Sequence, residues 1–269
     1  MSNPVRQLRK LHLGEYRFVL IGSFVALAIT SVPYVVGAVL ATDERIFGGF
    51  VYAVDDCYSY LAKMRQGAEG AWLFHIAYTP EPHPGALLFT FRRLLGKSAS
   101  IFPGTDLTTK MVWVYHIARW VFGIGLLVTI YRFLAALASS IRVRRLAWLL
   151  ITFGGGLGWL LIALGRPEWL GSLPLDFISP ESFTFLVLFA FPHLALAQTL
   201  LLWGIMALIR AWQLTDAGID STSVRPPFKP ASDRDGLSRV RWSAATLAGL
   251  FWLLMGLVVL PAYVAMLLT

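Results

Sequence analysis

The sequence predicts an all-α fold, a polytopic transmembrane helical bundle of about five spans with a long external first loop that carries interfacial helices. Three observations lead there. The chain is 57% apolar and only 14% charged. Several apolar runs exceed the roughly 20 residues a helix needs to cross a bilayer. The basic residues sit in short segments beside those runs, which reads as membrane topology and not as a phosphate-binding face for nucleic acid, despite a net charge of +8.

The first run, residues 18–41, follows Arg6, Arg9, Lys10 and Arg17. That arrangement resembles a signal peptide, but such apolar cores are usually about 7–15 residues, so an uncleaved first helix is expected. Residues 111–138, 183–209 and 243–268 give three further spans, and the glycine-bearing run 146–164 gives a fifth of minimal length. The segments 1–17, 132–145 and 210–241 together hold 14 Lys/Arg against 5 Asp/Glu, whereas 42–110 and 165–182 hold 8 against 10. The positive-inside rule therefore places the N-terminus in the cytoplasm and residues 42–110 outside. Residues 1–269 read as a single membrane domain. Within it, 210–241 is polar and rich in Pro, Ser and Asp, a cytoplasmic linker. The external loop holds "DCYSYLAKMRQG" and "GALLFTFRRLLG", both helix-compatible and too short to span. They are expected to lie along the interface, with Arg92, Arg93 and Lys97 reaching headgroups. The single cysteine, Cys57, excludes an intramolecular disulfide and a cysteine-rich zinc site.

Chemistry concentrates in that loop. Asp55 and Asp56 stand together where the chain leaves the first span. One could cap the following helix; because a helix turns about 100° per residue, the other then faces elsewhere. Adjacent carboxylates at an interface suit a general base acting on an alcohol or amine. His116 and Arg119, three apart, share a face of the second span and are candidates for a phosphate clamp; alternatively Arg119 snorkels to the interface or pairs with an acid such as Asp106. His193, beside Pro192 and near Gln198, is either a packing histidine or a substrate contact. Glu81 and His83, with His75 and an aspartate, could hold a divalent cation, although no ligand spacing points to one, and no other cofactor is expected. "FGGGLGW" superficially resembles a phosphate loop; lying in an apolar helix with no preceding strand, it reads as close helix packing.

Asp55-Asp56, then Tyr60, Ala62 and Gly70-x-Trp72-Leu73, placed after a first membrane helix, resembles the first external loop of GT-C glycosyltransferases, of the branch with protein O-mannosyltransferases and bacterial lipid A aminoarabinose transferases. The resemblance covers the N-terminal half of such an enzyme. It implies a bacterial plasma-membrane protein that inverts the sugar it takes from a polyprenyl-phosphate donor, with Asp55 as base. Tyr60, His83, His116, Arg119 and His193 are then the candidate substrate contacts. The second acid is Asp56 where the family commonly has Glu, and Glu81-Pro82-His83-Pro84 stands where a Lys-Pro-Pro is common. The alternatives are a transporter or flippase for a lipid-linked saccharide, and a non-catalytic membrane subunit or inactive fragment.

Overall fold

The computed structural model describes residues 11–220 and 242–258, apart from Tyr78, Thr105, Leu157, Pro167, Trp169 and Leu170. The described residues are helical, with one isolated antiparallel bridge between Phe74 and Ala86. The first long helix, α1, spans Leu13–Val39. His12 and Glu15 form a capping box at its start, the Glu15 carboxylate accepting the His12 N–H at 3.1 Å. Helices α2 (Val54–Ala68) and α3 (Thr90–Ile101) follow in the loop, then α4 (Leu107–Leu137) runs back across the bundle. Asp106 caps α4, accepting from the Thr108 and Thr109 N–H groups at 3.2 and 2.8 Å. That use of Asp106 leaves Arg119 without the acidic partner the sequence offered.

Among the described residues three helices are long and apolar enough to cross a membrane: Leu13–Val39, Leu107–Leu137 and Pro192–Trp212. They mark an integral membrane protein. Two of the expected spans differ from expectation. The run 146–164 is not one helix: α5 (Ile141–Phe153) ends at Gly154, and α6 (Gly158–Ala163) begins after the glycines. At 1.5 Å per residue α5 is about 20 Å long, short of the roughly 30 Å hydrocarbon layer. Three successive glycines are poor helix formers, and α6 starts afresh with its Gly158 N–H donated to Asp176 at 3.0 Å. The run 183–209 breaks as well. After α7 (Leu175–Ile178) and a 3-10 turn at Pro180–Ser182 come α8 (Thr184–Ala190) and α9 (Pro192–Asp220), parted at Phe191. Helix α9 continues through Arg210 to Asp220, so the expected linker is helical at its start, and 221–241 lies outside the described residues. The last apolar run is helical over Trp242–Val258, here α10, and its remainder is likewise outside them.

The α8–α9 break explains the intramembrane arginine. Pro192 has no N–H for the α8 carbonyls, and side chains from α1 and α4 serve them instead. Arg119 Nη1 donates to Leu188 and Phe189 carbonyls at 3.2 and 3.4 Å, Tyr34 to Phe189 at 2.6 Å, and Tyr115 to Ala190 at 2.8 Å. The same guanidinium donates to Thr30 and Ser31 hydroxyls on α1. A cation at the C-terminal end of α8 is also favoured by the helix dipole.

Two apolar clusters result. One joins α1, α4, α5, α8 and α9 around Val19, Leu27, Leu126, Leu127, Trp148, Val187, Leu188 and Ala195. The other seats α2 and α3 on α4 through Phe50, Cys57, Leu61, Met64, Ala99, Met111 and Tyr115. Helices α2 and α3 approach closely because of two glycines. Gly96 lies against the Met64 main chain, and Gly67 against the Arg93 main chain.

Candidate functional site

The site is built on the α2–α3 pair. Each helix is entered through a non-glycine residue with positive φ, Ala53 at 45° and Phe89 at 54°. Such backbone is costly and persists only where the surroundings fix it. Neither Asp55 nor Asp56 caps α2, whose N-cap is Ala53 without a side-chain bond. Both carboxylates are exposed.

Their directions differ. Asp56, Tyr60 and Lys63 follow at i, i+4 and i+7, one stripe along α2. Asp55 lies about 100° round the helix, on the neighbouring stripe with the exposed Ser59 and Ala62. Among the described residues Asp55 has no hydrogen bond or ion pair. Asp56 adds negative potential at Tyr52, Cys57, Tyr60 and Lys63.

Across from Asp56 stands a cationic and aromatic group that the sequence did not assemble. The Arg92 guanidinium lies 3.9 Å from the Tyr60 ring centre, and Lys63 Nζ lies 4.6 Å from the Phe89 ring centre. His193 meets Tyr60 edge-on with centroids 5.3 Å apart, and Tyr115 stacks beyond it at 6.4 Å. Burial pulls the Lys63 amine down to about 8, helped by the neighbouring Arg92 charge and opposed by Asp56. Burial pushes the Tyr60 phenol up, with Arg92 opposing.

The arginines overturn an expectation. Arg92 and Arg93 do not reach outward to headgroups; they are 3% and 2% exposed. Leu94 and Ile101, on the other side of α3, are 51% and 82% exposed. A helix at a bilayer gains by turning its apolar side to lipid and its polar side inward, the reverse of a helix in water. Arg92 Nε and both terminal nitrogens of Arg93 are buried without hydrogen-bond partners, and among the described residues neither arginine forms an ion pair. Lys97 also turns back, donating to the Gly70 carbonyl at 2.8 Å and lying 4.3 Å from the Trp72 ring centre.

The remaining candidates are apart from this group or already engaged. Arg119, 2% exposed, is committed to the α8 break. His116 Nε2–H donates to the Gly49 carbonyl at 2.9 Å and packs against Tyr34 and Phe50, which fixes the loop leading to α2. His83 Nε2 accepts the Ile76 N–H at 2.9 Å, its ring 5.8 Å from His75. Among the described residues no three His, Cys, Asp or Glu side chains come together as a metal site. Of the residues that come together here, sequence reading named Asp56, Tyr60 and His193 as candidates, gave Arg92 another task and did not name Lys63. The i, i+4, i+7 spacing of Asp56, Tyr60 and Lys63 was the available signal.

Comparison of the chain with protein-family models, with curated proteins and with solved structures returns no match.

Proposed function

We propose that this chain is a membrane glycosyltransferase of the GT-C kind, which moves a sugar from a polyprenyl-phosphate carrier to an acceptor at the membrane face where the doublet lies. One observation carries the reading. Two buried guanidinium groups with unpartnered nitrogens, one of them (Arg92) with Lys63 nearby, share the α2–α3 unit with an exposed pair of acids. Burying an unpaired cation costs several kcal/mol. A phosphate seated between Lys63 and Arg92 offsets that cost for Arg92, and a fork-shaped guanidinium donor suits its oxygens.

In the step we infer, a carboxylate of the doublet takes the acceptor's O–H or N–H proton. The acceptor atom then bonds to the anomeric carbon from the side opposite the phosphate. The bond from that carbon to the phosphate oxygen breaks, and the lipid phosphate leaves with the electron pair. Its added charge falls on the cations, which are already oriented. Asp56 shares the stripe of Tyr60 and Lys63, so the geometry favours Asp56 as the proton acceptor, whereas the resemblance favours Asp55. With three apolar helices, the chain sits in the plasma membrane of a bacterium on this reading, its N-terminus cytoplasmic.

The test uses the full chain in proteoliposomes with a panel of polyprenyl-phosphate-linked sugars, following release of free polyprenyl phosphate in the presence of envelope acceptors. Asp56→Asn is expected to slow release about 100-fold or more, and Asp55→Asn less. The opposite order returns the base to Asp55. Full activity in the double variant rejects the transferase. The interrupted pairs α5–α6 and α8–α9 favour a second reading, a transporter of the lipid-linked sugar, since broken helices recur in transporters. Flux across the membrane would then survive loss of both acids.

A further inference from the structure

At the opposite end of the bundle from the doublet, a cavity of about 470 Å³ opens between the start of α1 and the α4–α5 turn. Its lining is His12, Ser139, Ser140, Ile141, Arg142 and Arg144. The floor is fixed by a buried ion pair. Arg144, 2% exposed, donates to Glu15 Oε1 at 2.9 Å and to the Ala138 and Ser139 carbonyls at 2.7 and 3.2 Å. Glu15 also accepts from Tyr131 at 2.9 Å. The Glu15 carboxylate is therefore consumed by Arg144, and no carboxylate is among the described residues that line the cavity. Arg142 stands exposed at its mouth with no ion pair among the described residues. Arg145 adds positive field nearby, its guanidinium 4.9 Å from the Phe18 ring centre and its Nε buried without a partner.

Helix α5 starts in this same space. Its first turn holds no acid, and the Ser140 side chain makes no capping bond, although serine is a favoured cap. The first-turn N–H groups are orphaned by helix geometry, and the dipole disfavours arginine there. Cavity, arginines and helix start all present positive charge to one volume, which is within the range of small-ligand sites. We propose that this pocket binds a phosphate group, held by Arg142 and the Ser140 hydroxyl over the rigid Arg144 floor. The source is an anionic phospholipid headgroup of that leaflet or a free phosphate monoester.

The full chain is placed in nanodiscs of phosphatidylcholine alone or with phosphatidylglycerol, and lipid retention is read by native mass spectrometry. In parallel, glycerol 3-phosphate and inorganic phosphate are titrated with thermal unfolding as readout. Arg142→Glu is expected to weaken retention or protection roughly tenfold, the loss of one charge-assisted contact. Arg65→Glu, on an exposed α2 residue at the other face, leaves it unchanged. Loss confined to the nanodisc arm identifies the lipid, and loss confined to the titration arm identifies the soluble ligand. Arg142→Gln repeats the test should the charge reversal disturb folding. Wild-type behaviour of both Arg142 variants in both arms overturns the proposal.

Discussion

Replacing Gly96 with alanine tests whether close approach of α2 and α3 builds the cationic site. A Cβ at Gly96 would lie 2.6 Å from the Met64 carbonyl carbon and 2.9 Å from its Cα, and closer still to the Met64 oxygen. These are main-chain atoms that no rotamer change can move. Ordinary carbon contacts are about 3.5–4.0 Å, so α3 must withdraw by about 1 Å. Overpacking of this kind costs about 1–3 kcal/mol, and the backbone contact puts it near the top of that range. Alanine returns about 1 kcal/mol through helix propensity, so the net loss is about 2 kcal/mol. The same shift lifts Arg92 from its 3.9 Å seat on Tyr60, and affinity for polyprenyl phosphate should fall roughly tenfold. Gly125 is the control, because nothing lies within 4 Å of its Cβ position; Gly125→Ala should gain about 0.5–1 kcal/mol. Thermal unfolding in detergent and carrier titration read both effects. Equal stability and affinity in the two alanine variants would refute the packing argument.

Two further outcomes follow from charges. With Lys63 drawn from its ordinary 10.5 to about 8, carrier binding that needs the ammonium should decline as pH rises through about 8. Stability should instead rise between about 8 and 10.5, because there the unfolded chain binds the extra proton; Lys63→Met should flatten both profiles in titration and unfolding experiments. At the other face, Glu15→Leu strands the Arg144 guanidinium and should cost about 3–5 kcal/mol, while adding Arg144→Met should recover much of it. Unfolding of the two single variants and the double variant measures the coupling, and additive losses would show that no pair exists.

The long helices were legible because continuous apolarity is a local property, and the same holds for α2 and α3 as short helices in the loop. The breaks were not. Residues 146–164 are apolar enough to cross, and only the placement of Asp176 shows where Gly158 starts a new helix. Residues 183–209 also pass as one span, because the donors that make the α8 end tolerable come from Arg119, Tyr34 and Tyr115, far away in sequence. The site divides likewise. Asp56, Tyr60 and Lys63 follow from helical spacing on a single segment. The inward turn of Arg92 and Arg93 depends on Gly96 and Gly67 letting two backbones meet, with Leu94 and Ile101 left exposed on the other side of α3.

The broken end of α8 also bears on biogenesis. During synthesis the chain emerges N-terminus first, so Tyr34, Tyr115 and Arg119 have left the ribosome before Leu188 to Ala190 appear. A helix end with bare carbonyls is poorly tolerated in lipid, yet its donors are already waiting when it arrives. Insertion order and hydrogen bonding are thereby matched, and a circular permutant opened in the α4–α5 turn would present that end to the membrane before its partners existed.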